Sequence, residues 1–430
     1  MRGNIFLLCG LIFSLVIIGL SILQGIVLIL AIPLIVYLGV ALLNSPDTVS
    51  LMAIRHLDSE RVSEGKLVAV TVTITNTGSN LEELLVHDPL PVGLERVDGE
   101  NWASTPLRAG ETLELRYTVR TQRGEYHLPG MEVIAGETLG LFGEKAILPT
   151  TGHLSVRPFY HSVRPIKIRP PQTRGFSGPI PSRQAGTGID FFLVRDYQSG
   201  DPQRKINWKI AARHSDQLFT NLFEQERVAD VGLILDSRQQ SDVVTRHGSL
   251  FEHSVRATAT LAERFLHDGN RVGLLVYGGI IRRVFPGYGK VQRERILQTL
   301  AKARTGHNYA MEDLSNLPTR FFPSRSQVVM ISPLLQKDVP VLTQLRARGY
   351  ALLIVSPDPL DFEAGEMPND ARTAYAYRLA RLERDHLLLQ IRRMGVQVVD
   401  WNVNEPLEQA LQETLARQAI LLQLTRRIVP

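Results

Sequence analysis

Cysteine is all but missing from this 430-residue chain: Cys9 is the only one, and it sits in an apolar run. A single thiol excludes both a disulfide framework and a cysteine-built zinc site. The histidines, among them His214, His247, His253, His267, His307 and His386, show no HExxH or other ligand spacing. No glycine-rich phosphate loop is present. Gly278-Gly279 and Gly287-x-Gly289 bracket a turn, without the context of a dinucleotide or nucleoside-triphosphate loop. Ser237 lacks the setting of a nucleophile elbow. The formal net charge is only +5, and the basic residues are spread along the chain, so no nucleic-acid module stands out. These absences leave no cofactor to expect.

Charge is also absent from Ile5 to Leu43, a stretch interrupted only by Gln24-Gly25. A spanning helix needs about 20 apolar residues, so the run has the length of two. It reads as a transmembrane helical hairpin within 1–44, Ile5–Leu23 and Ile26–Leu43, turning at Gln24-Gly25. A cleaved signal peptide would be shorter. Arg2 precedes the hairpin, Arg55, Arg61 and Lys66 follow it, and the turn has no charge. The positive-inside rule then puts both ends, and everything after residue 44, in the cytoplasm. The expected location is the inner, cytoplasmic membrane, crossed by two helices.

Residues 45–64 read as a polar connector. From Lys66 the pattern alternates: Leu67–Thr75, Glu83–His87, Thr112–Thr121, Met131–Ala135 and His153–Val156 are strand-like runs separated by Gly, Pro and Asp clusters. An antiparallel β-sandwich over 65–157 is expected. Residues 158–185 hold Pro158, Pro165, Pro170, Pro171, Pro179 and Pro181 interleaved with arginines. Proline at this density predicts an extended, mobile tether.

From Val228 onward short apolar runs alternate with helical patterns. The strand-like runs are Val228–Leu235, Val272–Tyr277, Gln327–Ile331, Ala351–Val355 and Val396–Val399. The helical patterns are Leu250–His267, Val291–Ala303, Val339–Arg348, Arg372–Met394 and Pro406–Arg426, and Arg282–Phe285 adds an antiparallel edge strand. Strand–helix alternation predicts an α/β, doubly wound parallel sheet with helices on both faces, within 186–430. The first strand ends in Asp236, where such sheets meet ligands and partners.

Before that strand lies a charged and aromatic block: Arg195-Asp196-Tyr197, Gly200-Asp201, Arg204, Asn207-Trp208-Lys209, Arg213 and, further on, Glu224. Two readings of it stay open. Arg195, Asp196, Tyr197, Asp201, Arg204, Asn207, Trp208, Lys209, Arg213 and Asp236 form a candidate docking surface, since Trp and Arg concentrate at energetic centres of interfaces. In the other reading Trp208 and Tyr197 wedge the block onto the sheet while Asp201 and Arg204 pair nearby. With Arg123-Gly124-Glu125-Tyr126 and Leu139-Gly140-Leu141-Phe142 upstream, the block resembles the signature of the bacterial domain of unknown function 58 family. That resemblance implies a membrane-anchored protein with a von Willebrand factor A-like domain, often linked to MoxR-type AAA+ ATPases.

Von Willebrand A-type domains often carry a metal-ion-dependent adhesion site, built from Asp-x-Ser-x-Ser, a Thr and a further Asp. Carried onto this chain, Asp236 matches the first Asp, but Arg238 and Gln240 stand at the two Ser positions. Asn308 falls at the Thr position, and Ser332-Pro333 offers no carboxylate at the last. A guanidinium beside Asp236 opposes a dication, so no metal is expected and only Asp236 is retained. Asp236 is left to pair with Arg238 or to cap the next helix.

The expected function is a membrane-anchored, non-enzymatic adaptor or scaffold that binds a protein partner, a MoxR-type ATPase by resemblance, in envelope protein assembly or maturation. The alternatives are a hydrolase acting at the Asp236 rim and a structural envelope protein binding through its β-sandwich.

Overall fold

The computed structural model describes residues 2–22, 25–43, 49–136, 143–166, 168, 180–213, 217–246, 248–308, 317–318 and 321–414. The Leu139–Phe142 motif, the turn at Gln24, residues 169–179 of the expected tether and the end of the helix expected to Arg426 lie outside them. The chain divides into two compact units, Met1–Arg157 and Pro158–Pro430.

The first unit opens with α1 (Arg2–Ile22) and α2 (Gly25–Leu43), which contains Pro33. The stretch Gly25–Leu42 is long and apolar enough to cross a membrane, and Phe6–Ile22 is a shorter apolar helix. Phe6, Leu20 and Ile29 point outward, as suits side chains facing lipid. The helices approach closely at Gly19, where an added Cβ would meet the Leu28 side chain at 2.9 Å.

Eleven strands follow: β1 (Leu51–Leu57), β2 (Arg61–Ser63), β3 (Leu67–Asn76), β4 (Leu81–His87), β5 (Leu94–Gly99), β6 (Trp102–Leu107), β7 (Thr112–Thr121), β8 (Gly124–His127), β9 (Met131–Gly136), β10 (Gly143–Leu148) and β11 (His153–Arg157). They form two four-stranded antiparallel sheets, β1-β3-β7-β5 and β10-β9-β4-β6, and a small sheet β2-β11-β8. Inward residues such as Val70 and Val72 of β3, Val86 of β4, Val119 of β7 and Val133 of β9 share one core. Period-two alternation buries one face of each strand.

The polar connector expected over 45–64 is not one, because β1 pairs along its length with β3. Its polar appearance comes from Arg55, whose side chain is buried inside the sandwich. Arg55 Nε donates to Asp88 Oδ2 (3.1 Å), Arg55 Nη2 also pairs with Asp88 Oδ1 and donates to the Pro129 carbonyl, and the Tyr117 hydroxyl donates to Asp88 Oδ2 (2.7 Å). A buried charge is tolerated when paired and hydrogen-bonded in this way. Of the Arg123–Tyr126 motif, Gly124–Tyr126 lie in β8, and the Tyr126 hydroxyl donates to the Gln122 carbonyl (2.9 Å).

In the second unit the first part of the expected tether is not free. The Val163 carbonyl accepts from Arg264 Nη1 (3.2 Å), the His161 N–H donates to Thr260 Oγ1 (3.2 Å), and Ile166 and Ile168 enter a core cluster. Apolar residues alternate with the basic ones here, and their burial outweighs the proline content. From Ile180 the chain enters β12 (Ile180–Asp196), which pairs antiparallel with β13 (Phe219–Arg227) as a two-stranded ribbon with register shifts. Between them lies the short helix α3 (Trp208–Ala211).

Then comes β14 (Asp230–Ser237), buried along its whole length, and a small hairpin of β15 (Val244–Thr245) and β16 (Gly248–Ser249). The rest alternates: α4 (Leu250–His267), β17 (Arg271–Gly278), β18 (Arg282–Gly287), α5 (Gly289–Ala301), β19 (Gln327–Ile331), α6 (Val339–Ala347), β20 (Ala351–Pro357), α7 (Pro359–Glu363), α8 (Ala371–Arg393) and β21 (Gln397–Trp401). The sheet order is β18-β17-β14-β19-β20-β21, parallel throughout except for the antiparallel edge strand β18. Alternate residues of β14 enter different clusters. Leu233 and Leu235 pack with α4 and α5, while Ile234 packs with α6 and α8. Helices therefore cover both faces, and the strand order reverses between β14 and β19. That reversal is the switch point at which open α/β sheets hold ligands, beyond the strand C-termini.

Candidate functional site

At the switch point Asp236, the penultimate residue of β14, is 4% exposed. Its Oδ1 accepts from the Arg238 backbone N–H (3.0 Å) and Nε (2.9 Å), and its Oδ2 accepts from Arg238 Nη2 (2.8 Å) and the Ser332 hydroxyl (2.7 Å). The other side of the same guanidinium meets Asp338. Arg238 Nη1 donates to Oδ1 (2.9 Å) and Nη2 to Oδ2 (2.8 Å), and the Leu335 N–H also donates to Oδ2 (2.9 Å). All three side chains are almost entirely buried. Burial opposes the Arg238 charge, but hydrogen bonds from it to Asp236 and then Asp338 outweigh burial and raise its pKa above the ordinary value. A guanidinium thus fills the space between the two carboxylates, and the donor set leaves no place there for a dication.

Asp236 therefore sits inside the rim and not on the exposed docking surface expected of it. Asp338 escaped sequence reasoning because the carboxylate was sought directly after β19, at Ser332-Pro333. It comes instead from the start of α6.

The rim beyond the triad is a cleft of about 290 Å³ lined by Arg238, Gln239, Gln240, Gly278, Gly306, His307 and Asn308. Gly306 donates its N–H to the Ser237 carbonyl (3.1 Å) and accepts from the Gln239 N–H (3.1 Å), so the loop after α5 extends the sheet tip. Gly279 and Gly306 meet backbone to backbone; a Cβ on Gly279 would lie 2.6 Å from the Gly306 Cα. Asn308 Nδ2 donates to the Gly279 carbonyl (3.4 Å), and Lys337 Nζ donates to Gln240 Oε1 (3.0 Å) across the rim.

The Arg195–Arg213 block forms a second constellation. Asp201 organises it, and its partner is Arg195, not the expected Arg204. Arg195 Nη2 donates to Asp201 Oδ1 (2.7 Å), while Oδ2 accepts from the Gln198 N–H (3.0 Å) and the Thr220 hydroxyl (3.2 Å). The Gln198 N–H, followed by Arg195 and Thr220, holds the Asp201 carboxyl below its usual range. Asn207 caps α3 by accepting from the Ile210 N–H (3.1 Å), and its Nδ2 donates to Asn221 Oδ1 (2.8 Å) on β13. Tyr197 is half-buried, and its hydroxyl donates to the Asp201 carbonyl (3.3 Å). Trp208 does not wedge the block onto the sheet: it is 65% exposed, on the first residue of α3, with Arg204, Lys209 and Arg213 also exposed and Asp196 exposed on β12.

Residues 193–376, from the end of β12 into α8, match the family described as "Protein of unknown function DUF58". Over this stretch the chain is similar to the DUF58 family. The DUF58 match contains both constellations, the switch-point triad and the Trp208 block. The chain is also similar to the uncharacterized protein YeaD of Bacillus subtilis, with 27% identity over 345 residues, covering 78% of this chain and 82% of that one. Among solved structures, the CARDB domain of a Pyrococcus furiosus protein in complex with di-metal ions is 18% identical, covering 26% of this chain and 94% of its own, with a TM-score of 0.18. A non-cellulosomal cohesin from Archaeoglobus fulgidus is 17% identical, covering 25% and 91%, with a TM-score of 0.17. Scores this low carry nothing over to the DUF58 segment or to the sandwich.

Proposed function

We propose that this protein is a membrane-anchored, non-enzymatic adaptor whose second unit is a von Willebrand factor A-like head that binds a protein partner without metal. Both N-terminal helices span the cytoplasmic membrane in this reading, with the folded units on the cytoplasmic side, as the charges of Arg2, Arg55, Arg61 and Lys66 favour. The antiparallel edge strand β18, third along the chain among the strands of the sheet β18-β17-β14-β19-β20-β21, and the carboxylate at the tip of β14 support the von Willebrand A-like assignment. The partner is a MoxR-type AAA+ ATPase, acting in envelope protein assembly or maturation.

The observation that carries the reading is Trp208. A large aromatic side chain stands 65% exposed on a block that is otherwise pinned by Arg195–Asp201 and Asn207–Asn221. An exposed, pre-positioned tryptophan on a segment that also exposes Arg204, Lys209 and Arg213 is the chemistry of an interface anchor. Asp236 weighs against a hydrolase at the rim, because Arg238 and Ser332 engage both of its oxygens, and a general base needs a free lone pair within reach of substrate. Capture of the full-length chain from detergent-solubilised membranes tests the reading. The wild type recovers an AAA+ ATPase and Trp208→Ala loses it. Recovery of no ATPase, or equal recovery by both, refutes it.

A further inference from the structure

The far edge of the sheet carries a surface that neither constellation uses. Strand β18 pairs with β17 on one side, Arg282 opposite Val276 and Val284 opposite Leu274. Among the described residues no strand pairs with its other side. Between β18 and α5 lies a groove of about 580 Å³ whose walls include Arg282, Arg283, Phe285, Arg295, Thr299 and Lys302. Four of these are cations. No aspartate or glutamate lines the groove, and among the described residues no salt bridge reaches any of the four. The nearby Glu294 meets the wall through the amide of Gln298 (3.5 Å). Phe285 stands 67% exposed, with the Arg283 guanidinium 6.0 Å from its ring centroid.

The strand is held firmly from behind. Gln292, 4% exposed, donates to the carbonyls of Phe285 and Val272 (2.7 Å each), and Arg271 Nη2 donates to the Pro286 carbonyl (3.1 Å). Exposed edges are commonly blunted by charge and proline on the strand itself, which Arg282, Arg283 and Pro286 satisfy. Edge protection does not call for Arg295 and Lys302 on the neighbouring helix to converge on the same groove, where Phe285, packed on Phe321, leaves an exposed apolar face.

We propose that this groove binds an extended, acidic segment of a protein partner by strand addition along Arg282–Phe285. An edge strand offers backbone donors and acceptors at the spacing of another strand, and the four residues ahead of Pro286 span roughly 13 Å. The two faces of the added strand differ: carboxylates on one meet Arg295 of α5 and Lys302 at its C-terminal end, and apolar side chains on the other meet Phe285, whose ring lies 4.8 Å from that of Phe321. The complementarity is specific to an acidic peptide: phosphate alone would leave Phe285 and the strand edge unused.

The test is fluorescence anisotropy of a labelled peptide alternating valine and glutamate, titrated with the full-length chain in nanodiscs of neutral phosphatidylcholine. The peptide binds, a valine–lysine peptide of the same length does not, and Arg283→Glu with Arg295→Glu weakens binding at least tenfold. Phe285→Ser, which keeps every charge, weakens it at least threefold, and Arg108→Glu in the sandwich leaves it unchanged. Equal binding by the wild type and the charge-reversed chain overturns the proposal. So does a groove that ignores the acidic peptide but takes up single-stranded DNA, inorganic phosphate or phosphatidylglycerol vesicles through the same arginines. Trp208 lies outside this groove, so the capture result stands on its own whichever way the titration falls.

Discussion

Arg238 and Asp338 meet through two parallel hydrogen bonds, Nη1 to Oδ1 at 2.9 Å and Nη2 to Oδ2 at 2.8 Å. The pair joins the tip of β14 to the start of α6 across the point where the sheet order reverses. Its planar two-point geometry is one that a guanidinium supplies and an ammonium does not. The same guanidinium holds Asp236, so one side chain neutralises part of two buried carboxylates.

Removing that cation strands both carboxylates. Arg238→Met is expected to destabilise the second unit by about 3–5 kcal/mol, the range for breaking a buried pair by deleting one partner. Denaturant unfolding of the full-length chain in detergent checks this. A loss under about 1 kcal/mol, as for an exposed pair, would show that the triad is not buried as described.

The sandwich has its own buried cluster. Burial, ahead of the Asp88 charge, pushes the Tyr117 phenol well above its ordinary pKa. An unfolded tyrosine ionises near pH 10 while the folded one stays protonated, so this contribution is full below about pH 10 and declines as pH rises beyond it. Tyr117→Phe is expected to cost about 1–3 kcal/mol near neutrality and to remove that decline. At about pH 11 the gap between the two proteins should have narrowed by roughly 1.4 kcal/mol. Parallel stability curves between about pH 8 and 11 would contradict the buried phenol–carboxylate bond.

Asp201 ties its turn to β13. In Asp201→Ala the Gln198 amide, which donates to that carboxylate, loses its acceptor. Hydrogen exchange at residues 198–201 should accelerate at least tenfold while β14 is unaffected. Unchanged protection across the turn would mean that Asp201 does not organise the block.

Sidedness is readable with one thiol. Val92 is fully exposed, and Cys9 is the sole native cysteine. In a Cys9→Ser, Val92→Cys chain, a membrane-impermeant maleimide should label position 92 only after the cells are permeabilised. Labelling of intact cells would reverse the topology.

Much of this fold was legible because apolar periodicity is local. Thr112–Thr121, Gln327–Ile331 and Leu250–His267 were read with the bounds the structure has, each from its own alternation, apolar run or helical repeat. The antiparallel edge at Arg282 was legible too. Strand β1 was not, because Arg55 breaks its apolar pattern and becomes tolerable only beside Asp88, far along the chain. The ribbon of β12 and β13 hid behind proline, glycine and charge. At the candidate site the sequence pointed to Asp236 and to the guanidinium beside it. Asp338 and Ser332 were invisible as partners, since what unites them is the switch point, a property of strand order. The exposure of Trp208 was equally out of reach, because composition cannot say which face of a short helix is covered.

The metal-free triad is tested most directly by thermal unfolding of the full-length chain in detergent, wild type against Arg238→Ser, with and without millimolar Mg²⁺. The wild-type midpoint is expected to stay where it is with Mg²⁺. Arg238→Ser is expected to have a lower midpoint that Mg²⁺ raises, because the cation then takes the place vacated between Asp236 and Asp338 and stabilises the state that binds it. A wild-type midpoint that climbs with Mg²⁺, with no gain in the variant, would contradict the metal-free triad.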